Sequence, residues 1–253
     1  MFTYRFSFLS QRESSYFMAA SRFEIKSHKK GNATRHSRYI NRQGDKAADD
    51  LVAFGCGNLP SFANNQPQAF WAAADRFERA NGSAAREYLI SLPKEFSDEK
   101  NTALAWQITE FITLDRPFEF AFHRPRGKIS GDDHPHLHIS LSDRAPDGIE
   151  RPPEQYFRRA HPTRPEAGGV RKLSGGKTPE QLAIQVKQTK ASVAALINAE
   201  LARNGSAARV DYRSNQERGI AKVPERRLHP ALIRNLGPDE LGCIRKGREA
   251  HRT

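Results

Sequence analysis

Two runs of strict alternation constrain this chain more than any other stretch. In Phe118-Glu119-Phe120-Ala121-Phe122-His123 the three phenylalanines share one side, and Glu119, Ala121 and His123 share the other. In His136-Leu137-His138-Ile139-Ser140-Leu141, entered through His134-Pro135, Leu137, Ile139 and Leu141 oppose His136, His138 and Ser140. Period two is the pattern of half-buried strands. The intervening 124–133 carries Pro125, Gly127 and Gly131, so an antiparallel hairpin is the economical connection. Paired by their apolar faces, the strands turn His123, His136 and His138 to one polar side. Three imidazoles on a rigid sheet suit a divalent metal and leave coordination positions open for a substrate oxygen.

Two other readings stay open at this point. A His-x-His pair in an exposed strand arises readily by chance. His134-x-His136-x-His138 also resembles the histidine triad of nucleotide hydrolases, with His136 as nucleophile, although Pro135 stands where that motif wants a strand-forming apolar residue.

Charge narrows the choice. The net +12 is uneven: residues 1–150 carry a balance of +1 and residues 151–253 carry +11. A basic half beside a catalytic-looking sheet points to a polyanion, nucleic acid first; a solvated basic region with no specific ligand is the plain alternative. The 253 residues suffice for one large or two small domains with a real core. No stretch approaches the roughly 20 apolar residues of a membrane helix. Met1–Phe17 is broken by Arg5, Arg12 and Glu13 and makes a poor signal peptide. Cys56 and Cys243 lack paired spacing and imply neither a disulfide framework nor a zinc–thiolate site. A cytoplasmic protein is expected.

Met18 is a plausible true start, since it leads into the strand-like Arg22-Phe23-Glu24-Ile25-Lys26 and leaves 1–17 as a disordered or mis-started extension. A helix follows from Asn32 or Thr34, ended by Gly44, with Arg35, His36, Tyr39 and Arg42 on one face. Tyr39 among arginines reads either as a phosphate-directed nucleophile or as a surface tyrosine. Residues 45–66, with Gly55, Gly57 and Pro60, read as a loop. A helix is expected over 66–81, then a strand over 85–92 carrying Glu87, a candidate to orient a metal-binding histidine or to accept the tyrosine proton. Ser97 caps the next helix. The order of elements predicts an α+β fold, a mostly antiparallel central sheet with helices packed on one face.

Beyond the hairpin a short helix is expected over 153–159. Ser174-Gly175-Gly176-Lys177-Thr178 is similar to a phosphate loop, but Arg171 stands where its first glycine belongs and no buried strand precedes it. Thr178-Pro179-Glu180-Gln181 instead forms a capping box with proline at N1, opening a long helix that Asn204-Gly205 ends. Residues 209–214 read as a last extended segment. The basic tail, 231–253, has the composition of partial disorder.

Several of these pieces resemble one family, the plasmid mobilisation relaxases of the MobA/MobL (MOBQ) type, DNA nickases of the histidine-hydrophobe-histidine class. The carriers are Ala33-Thr-Arg-His-Ser-Arg-Tyr39-Ile-Asn-Arg-Gln-Gly44, Phe70-Trp71 through Asp75 and on to Asn81, Arg86-Glu87 through Pro93, His134-Pro-His136-Leu-His138, Asp147-Gly-Ile-Glu-Arg-Pro152, and Arg209-Val-Asp-Tyr-Arg-Ser214 with Gly219-Ile220. They stand in family order over about residues 20–230. His134 replaces the family's usual asparagine and Tyr212 the histidine of its late block. The resemblance implies a relaxase domain over 18–230, with an N-terminal tyrosine helix. It implies Tyr39 as nucleophile, Mg²⁺ or Mn²⁺ on His123, His136 and His138, and Glu87, or failing it His36, as proton acceptor. The expected partner is single-stranded or supercoiled plasmid DNA at an origin of transfer, with accessory mobilisation and coupling proteins beside it. Arg35, Arg38, Arg42, Arg158, Arg159, Arg171, Lys172, Arg209 and Arg213 are the candidate DNA contacts. A non-catalytic plasmid DNA-binding regulator is the competing reading.

Overall fold

The computed structural model describes residues 22–43, 50–221, 228 and 230–252. The expectations for Met1–Phe17, Met18 and Gly44 lie outside them. Five strands, β1 Phe23–Lys29, β2 Leu51–Gly57, β3 Ser83–Ser91, β4 Phe118–His123 and β5 His136–Leu141, form one sheet in the order β1-β3-β5-β4-β2. Every pairing is antiparallel. The expected α+β architecture is therefore present, with the hairpin β4–β5 at its centre.

The alternation of that hairpin sorts the whole molecule. Phe118, Phe120, Phe122, Leu137, Ile139 and Leu141 enter one core with Phe23, Tyr88 and Ile90 from the outer strands. Two helices cover this face. Leu104, Ala105, Ile108 and Ile112 come from α3, Asp98–Thr113, and Val193, Ile197 and Leu201 from α5, Pro179–Arg203. Side chains such as Ile108 and Leu137 are fully buried, each contributing about 1.5–3 kcal/mol by leaving water. The N-termini of both helices follow the sequence signals: Ser97 accepts from the Lys100 amide, and Thr178 and Gln181 form a reciprocal capping box.

Helices extend to the second face as well. There α1, Ala33–Ile40, and α2, Pro67–Phe77, pack on each other and close a smaller core of Ala33, Phe70, Trp71, Ala74, Ala84 and Ala85. Tyr156 from the one-turn α4, Pro153–Tyr156, joins it with Phe157 and Val170. Residues 209–214 form no strand. Past 221, Pro230–Asn235 is α6 and Pro238–Arg252 is α7.

The expected loop over 45–66 is corrected in its first part, because 51–57 is edge strand β2, paired with β4 from Leu51 opposite His123 to Gly57 opposite Phe118. Its glycines mark close approach rather than a turn. A Cβ on Gly55 would stand 2.7 Å from both the Phe120 and Trp106 rings, and one on Gly57 would stand 2.7 Å from Phe118. Aromatic bulk on the neighbouring elements thus fixes glycine in the edge. Gly55→Ala should lower stability by about 1–3 kcal/mol through overpacking, read as a lowered thermal midpoint; an unchanged midpoint would mean that the two rings have room to yield.

Candidate functional site

The histidines of the hairpin converge. In the β4–β5 register His123 lies opposite His136, and Ala121 lies opposite His138. The ring centroids of His123, His136 and His138 are 5.4, 5.2 and 5.1 Å apart in pairs. One nitrogen of each ring is committed elsewhere. His136 Nδ1 donates to the His134 carbonyl at 2.8 Å, His138 Nδ1 donates to Glu87 Oε1 at 2.6 Å, and His123 Nε2 donates to the Ile40 carbonyl at 2.7 Å. These bonds fix the tautomers and leave Nε2 of His136 and His138 and Nδ1 of His123 as lone-pair donors. His123 Nδ1 is buried and has no hydrogen-bond partner. Burial pulls all three imidazoles down to about 4, so they are neutral near pH 7, the form a metal requires. The donor chemistry fits a divalent ion.

Glu87 is a second convergence point. It faces the same side from β3, 2% exposed, and besides His138 it meets His28 Nε2 at 3.1 Å and His36 Nε2 at 3.3 Å. The His28 and His36 rings stack with centroids 4.0 Å apart. Burial alone would raise the Glu87 carboxyl. Hydrogen bonds from His138, His28 and His36 outweigh it and hold the group far below the usual carboxylate range. The ligand atoms of His28, His36 and Glu87 all lie within 4.8 Å of one another, a spacing that could itself hold a metal ion. The Glu87 oxygens already meet imidazole nitrogens, whereas His123 Nδ1 has no hydrogen-bond partner and only Asp50 Oδ2 near it at 3.7 Å.

Tyr39 sits on α1, 45% exposed, with the Arg42 guanidinium 5.2 Å from its ring centroid and the His36 ring 6.3 Å away. Eight residues make too short a helix to stand alone, and three anchors hold it. At its start the amides of Gly31, Ala33 and Thr34 donate to the Asp75 carboxylate of α2 at 2.8–3.0 Å, so the cap comes from another helix rather than from Asn32. In its middle Ser37 Oγ and, just beyond, Asn41 Nδ2 each donate to Glu119 Oε2 at 2.9 Å. At its end Ile40 accepts from His123. Arg42, at φ 52°, bonds Asp50 through two nitrogens at 2.7 and 2.8 Å, and Asp50 Oδ2 lies 3.7 Å from His123 Nδ1.

Neither departure from the family pattern adds a ligand to the histidines. His134 precedes β5 with its ring against Ser130 and gives the cluster only its carbonyl. Tyr212 packs on the opposite face of the sheet, 5.1 Å from the Phe23 ring, away from the histidines. The candidate DNA contacts divide. Arg38, Arg158, Arg159 and Arg171 are exposed, whereas Arg42 is held by Asp50, Lys172 by Glu78 and the Ser83 carbonyl, Arg213 by Asp211, and Arg209 bonds the Ser206 and Ala208 carbonyls. Arg35 bonds Asn32 Oδ1. Sequence reasoning missed His28, Asp50, Asp75 and Glu119. Continuing the β1 alternation two residues past Lys26 would have found His28; the other three act through helix packing that spacing does not encode.

The antiparallel strands thus turn the imidazoles toward the tyrosine helix, with Glu87 orienting His138. The chain belongs to the MobA/MobL family, whose model matches residues 17–234. It is 38% identical over 207 residues to the "43 kDa relaxation protein" of Salmonella typhimurium, covering 80% of this chain and 56% of that one. To "Mobilization protein A" of Escherichia coli it is 34% identical over 210 residues, covering 81% and 28% respectively. The chain thus spans little more than half of the first relative and less than a third of the second. A solved structure described as the molecular basis of vancomycin resistance transfer in Staphylococcus aureus shares the fold at a TM-score of 0.55 and 20% identity, over 76% of this chain and 98% of that one. No helix among the described residues is long and apolar enough to cross a membrane.

Burial pushes the Glu119 carboxyl up to about 7, against hydrogen bonds from Ser37, Asn41 and Trp71. Between its ordinary value of 4.5 and about 7 the folded chain therefore binds more protons than the unfolded one. Its contribution is fully present below that window and is lost as pH rises through it. Urea unfolding at about pH 5 and about pH 8 should show this loss, on the order of 3 kcal/mol, and Glu119→Gln should remove it. An identical pH dependence in the variant would place the slope elsewhere.

Proposed function

We propose that this chain is the DNA-nicking domain of a plasmid mobilisation relaxase. It cuts and rejoins one strand at an origin of transfer through a 5′-phosphotyrosyl link to Tyr39. The observation that carries the reading is the bond from His123 to the Ile40 carbonyl, which ties an exposed tyrosine on a helix to a three-imidazole cluster with free lone pairs. The names of the two relatives support the same activity.

His123 Nδ1, His136 Nε2 and His138 Nε2 would hold the ion, Mg²⁺ or Mn²⁺. When bound it supplies Lewis-acid stabilisation of the charge that grows on the phosphate oxygens. The Tyr39 oxygen attacks phosphorus, the bond to the 3′ oxygen breaks, and the 3′ end leaves as a hydroxyl. Because one phosphodiester replaces another, the reverse attack reseals the strand without ATP. The Tyr39 phenol must lose its proton on the way. Of the two candidate acceptors, His36 has its ring 6.3 Å from the tyrosine ring, and the strongly depressed Glu87 is a poor base. Glu87 then orients His36, His28 and His138. Arg42 supplies positive charge beside the Tyr39 ring, and the exposed Arg38 with the basic second half of the chain supplies the wider field that draws in DNA.

Incubation of supercoiled plasmid bearing the cognate origin with the protein and Mn²⁺ should yield relaxed circles with a blocked 5′ end after SDS and protease. Tyr39→Phe should form no covalent adduct yet bind DNA as the parent does; persistent nicking would reject Tyr39. His136→Ala with His138→Ala should lose metal uptake by calorimetry along with cleavage. Unchanged metal content there, with loss in His28→Ala, would move the ion to the His28–His36–Glu87 group. Retained DNA binding without cleavage or metal dependence in the parent protein would favour the regulator.

A further inference from the structure

A second concentration of positive charge lies apart from the histidines, around a cavity of about 400 Å³ open to solvent. Its wall includes six cations, Arg79, Arg144, Arg158, Arg159, Arg171 and Lys172, and no carboxylate. Two of the six are built in. Arg144, 2% exposed, bonds Glu78 Oε2 at 2.9 Å and the carbonyls of Phe157, Arg158 and Val170, so it fixes the segments that carry Arg158, Arg159 and Arg171. Lys172 Nζ meets the same Glu78 oxygen at 3.0 Å and the Ser83 carbonyl at 2.8 Å. Glu78 is the single carboxylate behind the buried Arg144 and the half-buried Lys172.

The exposed members are different. Among the described residues no carboxylate stands within ion-pair distance of Arg158, Arg159 or Arg171, and Arg79 reaches Glu78 only at 3.8 Å. Like charges crowded around one hollow oppose folding unless an anion shares the hollow. Gly175 and Gly176 complete the wall, and Gly176, at φ +80°, leaves open space where a side chain would stand. The segment 174–178, which is not a nucleotide-binding loop, thus contributes bare backbone to a cationic cavity.

We infer that this cavity holds a phosphate of a single DNA strand at a distance from the scissile bond. DNA as the source of that phosphate rests on the relaxase reading above. Guanidinium forks match phosphate oxygens in pairs, and the opening to solvent admits a continuous backbone as well as a detached anion. The placement suits a strand that runs on from the tyrosine. His136 begins β5 and Arg144 follows its far end, about 17 Å along the strand from His136. The cavity is joined through Glu78, just past α2, to the helix pair α1–α2 that also covers the histidines.

The test is fluorescence anisotropy of the full chain with a labelled thymidine oligonucleotide of about 30 nucleotides over a range of salt. Arg158→Ala with Arg171→Ala, both exposed positions, should bind about tenfold more weakly. Its log–log salt slope should be shallower by about 0.7 for each phosphate that the variant no longer neutralises. A control with two exposed cations removed elsewhere, Lys94→Ala with Arg203→Ala, should keep the parent affinity. Equal weakening in the control would show a diffuse field and overturn the site, as would parent affinity and slope in the cavity variant. Calorimetry with inorganic phosphate separates the sources: phosphate binding that the cavity variant loses, with oligonucleotide affinity unchanged, would make this a free-anion site and overturn the DNA assignment. Tyr39→Phe should retain the parent slope, so a failure of the nicking reading and a failure of the cavity reading give different results.

Discussion

The register of β4 against β5 is the constraint on which everything else depends. Because side chains alternate, one register places three phenylalanines with Leu137, Ile139 and Leu141 against α3 and α5, and by the same act gathers His123, His136, His138 and Glu119 beneath α1. A slip of one residue would put imidazoles into the apolar core and phenylalanines under the tyrosine helix. The hydrophobic free energy of one face therefore enforces the chemical geometry of the other.

On that second face polar groups hold the elements together as apolar contacts do on the first. Three carboxylates each serve α1 or its neighbours: Asp75 caps its start, Glu119 holds Ser37 and Asn41, and Glu87 gathers His28, His36 and His138. Each would be costly if left unpaired; Asp75 and Glu87 accept at both oxygens, and Glu119 accepts two donors at Oε2. The His28–His36–Glu87 group and the hairpin trio are joined through His138, which serves the first by its Nδ1 and is left free by its Nε2.

Much of this was legible in the sequence. The hairpin, the helices begun by Ser97 and Thr178 and the placement of Glu87 beside the histidines follow from alternation and capping chemistry. What escaped was whatever depended on contact between distant segments. Gly55 and Gly57 look like turn residues until Phe118, Phe120 and Trp106 are seen against them. Asp75 is one more acidic residue on a helix until another helix begins over it. Arg42, Lys172 and Arg213 carry the same charge in sequence as Arg158 and Arg171, but a buried or neighbouring carboxylate has already engaged them. Composition measures charge, and only packing tells which charges remain open to a partner.

The borrowed cap on α1 has a consequence for the life of the chain. The helix that presents Tyr39 depends on both α2 and the sheet, since its start is satisfied by Asp75 of α2 and its middle and end by Glu119 and His123 of β4. A chain still emerging, partly unfolded or clipped within α2 retains the tyrosine but not its aim. A protein whose proposed chemistry breaks DNA thereby couples the aim of its tyrosine to the packing of α2 against the sheet.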